Sequence, residues 1–135
     1  MPLILIIEDH AALARLYQTV LERTGYRVAL AADGEAGIEA ARQEHPDLVI
    51  LDLLLPGMSG TQVARLLYQE GILPNTPLII TSGLGAEETD RIGESLNASA
   101  VLVKPFDLST MQAAIREALD SPKPEAGQEE RVDRN

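Results

Sequence analysis

The sequence predicts an α/β protein, a parallel five-stranded sheet covered by helices on both faces. Two observations predict it. Five apolar runs of about strand length alternate with longer stretches of helical period. Two of those runs also meet acids at their ends: "LILIIEDH" closes with Glu8 and Asp9, and "LVILDLLLPGMSG" holds Asp52 among Leu, Val and Ile. A carboxylate is costly to bury without a partner, so Asp52 asks for one.

The strand runs are "LILII" (3–7), "RVALA" (27–31), "DLVIL" (47–51), "PLIIT" (77–81) and "AVLVK" (100–104). The first and third lack polar alternation, as central strands covered on both faces do. A first helix is expected over 10–24, with Leu13, Leu16, Tyr17, Val20 and Leu21 on one stripe and Gly25 as its C-terminal cap. The second starts at Asp33 as N-cap and ends before "HPD", where Pro46 blocks continuation. The third opens with "SGTQ": Ser59 and Gln62 have capping-box spacing, and Val63, Leu66 and Leu67 form the apolar face. The fourth, about 86–96, is the weakest, because Gly93 inside it costs about 1 kcal/mol relative to alanine. The fifth runs from about Asp107 to Asp120 with Leu108, Met111, Ile115 and Leu119, and Pro122 and Pro124 close it. Strand–helix units in series imply right-handed crossovers. The common solution is a doubly wound, flavodoxin-like (βα)5 sheet of order 2-1-3-4-5. The order reverses between strands 1 and 3, which opens a crevice at their carboxyl ends.

Composition narrows the function. The chain has 135 residues, 45% of them hydrophobic and 24% charged, which suits one folded domain with a real core. Without cysteine there is neither a disulfide framework nor a thiolate zinc site. No run is long enough to span a membrane, and "MPLILII" lacks the basic start and cleavage site of a signal peptide, so a soluble, cytoplasmic protein is expected. A net charge of −10 argues against nucleic-acid binding by this domain, since phosphates need a basic face. Residues 1–120 are read as the domain. Residues 121–135, "SPKPEAGQEERVDRN", are read as a charged, flexible C-terminal tail, with a short helix around Gln128–Val132 as an alternative.

The topology brings Glu8, Asp9 and Asp52 to one crevice. Two carboxylates about 4 Å apart repel by about 4 kcal/mol at an effective dielectric of 20. The cluster must therefore hold a proton or a cation. Hard carboxylate oxygens with room for water suit Mg²⁺, and manganese would also fit. The fourth strand ends with hydroxyls at Thr81 and Ser82, and the fifth with the ammonium of Lys104. An ammonium facing a metal–carboxylate cluster makes a place for a phosphoryl group. A carboxylate can attack phosphorus and form an acyl phosphate, and Asp52 is the candidate nucleophile.

With these residues in place the chain resembles a response-regulator receiver domain, the phosphoacceptor half of two-component signalling. The resemblance covers about residues 2–120. It rests on "IIED", "LDLLLPGMSG", "ITSG" and "VKPF" in the family's order and spacing, with Ser82 30 residues and Lys104 52 residues beyond Asp52. It implies that Asp52 accepts a phosphoryl group from a sensor histidine kinase or a histidine phosphotransfer protein. It implies that Asp9 binds Mg²⁺ directly, Glu8 through water, and Leu54 through its backbone carbonyl. Ser82 would be the hydroxyl that moves toward the phosphoryl group and Lys104 its cationic partner, with Thr81 turned away by alternation and a cis Lys104–Pro105 peptide. The kinase contact would involve His10, Ala11, Ala14 and Phe106. Helix 4, strand 5 and helix 5 would form the surface for an output protein of unknown identity, and a monomer or weak dimer is expected.

Two departures from the pattern stand out. Val101 occupies the position, three residues before the lysine, where the family often has Tyr or Phe, so the usual coupled swing of hydroxyl and ring cannot occur. Leu54 and Leu84 stand two residues after Asp52 and Ser82, positions that influence how water reaches the acyl phosphate, and slow dephosphorylation is expected. Leu54 also counts against a small Mg²⁺-dependent phosphatase, which usually has a second acid there. A phosphorylation-independent interaction module on the same fold is the alternative that Val101 keeps open. Residues 121–135 are too few for an output domain, so action by protein contact, phosphoryl relay or excision from a longer chain are the options expected, with the charged tail slightly favouring a stand-alone protein.

Overall fold

A computed structural model describes residues 1–121. Of the tail proposed for 121–135, Ser121 is described, and the rest, with the short helix around Gln128–Val132, lies outside the described residues. Five strands, β1 (Leu3–Ile7), β2 (Arg27–Ala31), β3 (Leu48–Asp52), β4 (Leu78–Ser82) and β5 (Ala100–Val103), alternate with five helices. The helices are α1 (Ala11–Arg23), α2 (Gly34–Glu44), α3 (Gly60–Gln69), α4 (Ala86–Ser95) and α5 (Leu108–Asp120). All strand pairs are parallel and the order is β2-β1-β3-β4-β5, as the sequence predicted. Strands β3 and β4 begin one residue later than expected. Pro77 has no N–H to donate to a ladder, and the Asp47 carboxylate accepts the Leu3 N–H at 2.8 Å.

Strand alternation divides the core. Leu5, Ile7, Val49, Leu51 and Ile80 pack with Ile38, Ala41, Val63 and Leu67 on the α2–α3 face, where Ile92 of α4 also packs. Ile4, Ile6, Leu48, Ile50 and Ile79 pack with Tyr17, Leu21, Met111 and Ile115 on the α1–α5 face. Leu16 corrects the expected α1 stripe: it is 46% exposed, and Ala14, Tyr17 and Leu21 are the buried residues of that helix.

The caps follow local chemistry. Ser59 and Gln62 form the reciprocal capping box. Asp33 accepts the Ala36 N–H at 2.8 Å. α1 is capped by His10, whose Nδ1 accepts the Leu13 N–H at 3.2 Å, which leaves Asp9 free of that duty. At the end of α1, Gly25 has φ +99 and the Tyr26 and Gly25 N–H groups bond Leu21 and Glu22 carbonyls, a Schellman motif. The Lys104–Pro105 peptide is cis, as the resemblance implied, and Leu73–Pro74 is cis as well. No helix of the described residues is long and apolar enough to cross a membrane.

Candidate functional site

Register brings the functional ends together. Ile7 lies beside Leu51, and Asp52 beside Thr81, so the residues just beyond β1 and the last of β3 and β4 reach one edge of the sheet. Carboxylate oxygens of Glu8, Asp9 and Asp52 all lie within 4.8 Å of one another, with Glu8 and Asp52 buried and Asp9 exposed. Lys104 Nζ bridges the buried pair, 3.0 Å from Glu8 Oε1 and 3.1 Å from Asp52 Oδ2. The backbone holds both acids in place: His10 N–H donates to Glu8 Oε2 at 3.1 Å, and Leu54 N–H to Asp52 Oδ1 at 3.1 Å.

The electrostatics follow from burial. Loss of water pushes the Glu8 carboxyl up, an effect only partly offset by the His10 N–H and Lys104. Burial works against the Lys104 ammonium, yet its bonds to Glu8 and Asp52 together hold its pKa above the usual lysine range. Three carboxylates against one ammonium leave two uncompensated negative charges when all are ionised. A divalent cation matches that excess, and exposed Asp9 leaves it a wet side.

Glycine sets the approach of α3. A Cβ on Gly60 would lie 2.5 Å from the Asp52 carbonyl oxygen and 2.6 Å from Leu53 Cα, so only glycine lets α3 begin directly beneath the loop that follows β3. Gly57, at φ +73, fills a turn, whereas Gly60 serves close packing.

Register sets the two hydroxyls on opposite sides of the sheet. Asp52 is the register partner of Thr81, so alternation gives those two side chains the same side of the sheet and Ser82 the other. Ser82 is fully buried, and its Oγ accepts the Leu84 N–H at 2.9 Å and the Thr89 hydroxyl at 2.9 Å. Thr89, on α4 and also fully buried, is the residue that sequence reasoning missed. Its one available signal was a hydroxyl among the charged residues Glu87, Glu88, Asp90 and Arg91, four residues before Gly93 and so on the same face.

Among the suggested kinase contacts, His10 and Ala11 are exposed and Phe106 is half-buried, stacked on Tyr17 with ring centroids 6.0 Å apart. Ala14 is corrected: at 5% exposure it belongs to the buried face of α1 and offers almost no surface. Leu54 and Leu84 are 55% and 39% exposed. A hollow of about 610 Å³, lined by Tyr68, Leu73, Pro77 and Leu119 among others, opens near the start of β4, at the end of the sheet opposite the acids.

Comparison with known proteins agrees with this geometry. A family model described as "Response regulator receiver domain" matches residues 4–116. A probable transcriptional regulator ycf27 of Porphyridium aerugineum is 39% identical over 117 residues, 86% of this chain and 47% of that protein. The alkaline phosphatase synthesis transcriptional regulatory protein PhoP of Bacillus subtilis is 33% identical over 116 residues, 86% of this chain and 48% of that protein. The chain thus spans about half the length of the curated relatives it matches. The non-phosphorylated HemR receiver domain of Leptospira biflexa superposes with a TM-score of 0.82 at 28% identity, covering 93% of this chain and 99% of that one. Sheet order, clustered strand-end acids and matched sequence agree, and the chain belongs to the response regulator receiver domain family, a signalling domain of two-component systems.

Proposed function

We propose that this domain is a phosphorylation-controlled switch in which Asp52 accepts a phosphoryl group from a histidine kinase or a histidine phosphotransfer protein. The observation that carries the reading is the Lys104 ammonium held between Asp52 and Glu8, beside exposed Asp9. An Asp52 oxygen attacks phosphorus in line. The new O–P bond forms as the N–P bond of the phosphohistidine breaks, and its electron pair stays on the imidazole nitrogen. Lys104 can follow the charge from the free carboxylate to the phosphoryl oxygens, and the Leu54 N–H steadies Asp52 during attack.

Asp9, Asp52 and the Leu54 carbonyl would hold Mg²⁺, with Glu8 acting through water. When bound, the ion supplies the positive charge that the acids lack. Ser82 answers the phosphoryl group, and the α4–β5–α5 surface carries the change to an output protein. The exposed part of α4, with Glu87, Glu88, Asp90, Arg91 and Glu94, suits a partner with a basic face. The switch unit is residues 1–120, working in the cytoplasm without binding nucleic acid or membrane.

The test is intact mass after incubation with acetyl phosphate and Mg²⁺. One added phosphoryl group, lost in Asp52→Asn and without Mg²⁺, is the expected result. No addition from acetyl phosphate or from a phosphohistidine donor would leave the phosphorylation-independent module as the reading. Phe106→Ala should slow transfer from a kinase more than from acetyl phosphate, and equal slowing would remove Phe106 from the docking surface.

A further inference from the structure

Building on the phosphoacceptor reading of Asp52, we infer that Thr89 is the positioning residue through which the state of Asp52 reaches α4. The observation is a hydroxyl–hydroxyl bond of 2.9 Å, wholly buried, between Ser82 at the end of β4 and Thr89 in the first turns of α4. A serine hydroxyl has one proton and two acceptor sites. Here both acceptor sites are engaged, by Thr89 and by the Leu84 N–H, so the Ser82 proton is the remaining valence.

A phosphoryl group on Asp52 offers that proton a charged acceptor, and charge-assisted bonds are about twice as strong as neutral ones. Aiming that proton at the phosphoryl group turns the Ser82 hydroxyl and draws its acceptor site away from Thr89. Thr89, with no exposed surface, is then a buried hydroxyl without its partner, a costly state until α4 re-seats. The start of α4 is built to yield: Gly85, at φ +95, supplies no side-chain cap, and the Ser82–Thr89 bond ties the first turns of α4 to the end of β4.

The same helix face explains why a hydroxyl has this task. Gly93, four residues after Thr89, lies so close to β5 that a Cβ there would sit 2.4 Å from Val101 Cγ1. A small β5 residue and a glycine close the gap in which a ring at position 101 would have to move. α4 therefore reports on Ser82 through Thr89 rather than through an aromatic side chain.

The test is hydrogen–deuterium exchange of the whole chain, parent against Thr89→Val and Thr89→Ser, with phosphoryl occupancy from acetyl phosphate and Mg²⁺ matched by intact mass. In the parent, phosphorylation should raise exchange of the α4 amides by roughly fivefold, the factor that one net hydrogen bond represents. Thr89→Val, nearly isosteric, should show that faster exchange already at rest and respond no further. Thr89→Ser restores the hydroxyl and should respond as the parent does, which a purely packing role for Thr89 would not require. An α4 response in Thr89→Val equal to the parent's, or no response in a fully phosphorylated parent, overturns the inference while leaving Asp52 as acceptor. A parent that takes up no phosphoryl group from either a small donor or a phosphohistidine overturns both.

Discussion

Replacing Gly93 by alanine should destabilise the protein, and the same change should stabilise it once Val101 is also alanine. In the parent, the new Cβ would sit 2.4 Å from Val101 Cγ1, where a neighbour must shift. Overpacking of that kind costs about 2–3 kcal/mol, and the better helix propensity of alanine returns about 1 kcal/mol, a net loss of about 1–2 kcal/mol. In the Val101→Ala background the offending methyl is gone. The remaining neighbours, the residue 101 Cβ at 3.8 Å and Ala98 Cβ at 4.0 Å, are in ordinary contact. There Gly93→Ala should gain about 1 kcal/mol from propensity alone. Urea unfolding of the four proteins gives the coupling energy directly, expected at about 2–3 kcal/mol with unchanged m-values. Equal effects of Gly93→Ala in both backgrounds would show that α4 does not rest on Val101, and would remove the steric reason for the missing ring.

Three further outcomes are expected. Mg²⁺ at about 100 times its Kd should add about 2.7 kcal/mol of stability, seen as a rise in melting temperature. Asp9→Asn should abolish most of that rise, and an equal rise in the variant would exclude Asp9 as a ligand. Burial pushes the Tyr17 hydroxyl from 10.0 up to about 12, so between those values the folded state keeps a proton that the unfolded state has released. That contribution is fully present below pH 10 and is lost as pH rises through 12, so urea midpoints should fall over this window less steeply in Tyr17→Phe; parallel curves would count against it. Leu84→Ala should shorten the phosphoryl lifetime severalfold, followed by intact mass after donor removal, because a half-exposed apolar side chain beside Ser82 is taken away from the path of water; an unchanged lifetime would refute the shielding role.

Much of the fold and the acidic site was legible along the chain. Unbroken apolar runs such as "LILII" and "LVIL" announce strands covered on both faces, Ser59 with Gln62 announces a helix start, and acids at run ends announce a shared crevice. These are properties of consecutive residues, and the right-handed crossover leaves few ways to order the strands. Only the tertiary structure decided which side of the sheet Thr81 takes, that His10 rather than Asp9 caps α1, and that Ala14 is covered while Leu16 is not. It alone revealed Thr89 on Ser82, Gly60 beneath Asp52 and Gly93 against Val101. Periodicity and capping are written in near neighbours. A hydrogen bond between two elements, or a separation too short for one methyl group, depends on how closely those elements pack, and residue spacing carries no measure of that distance.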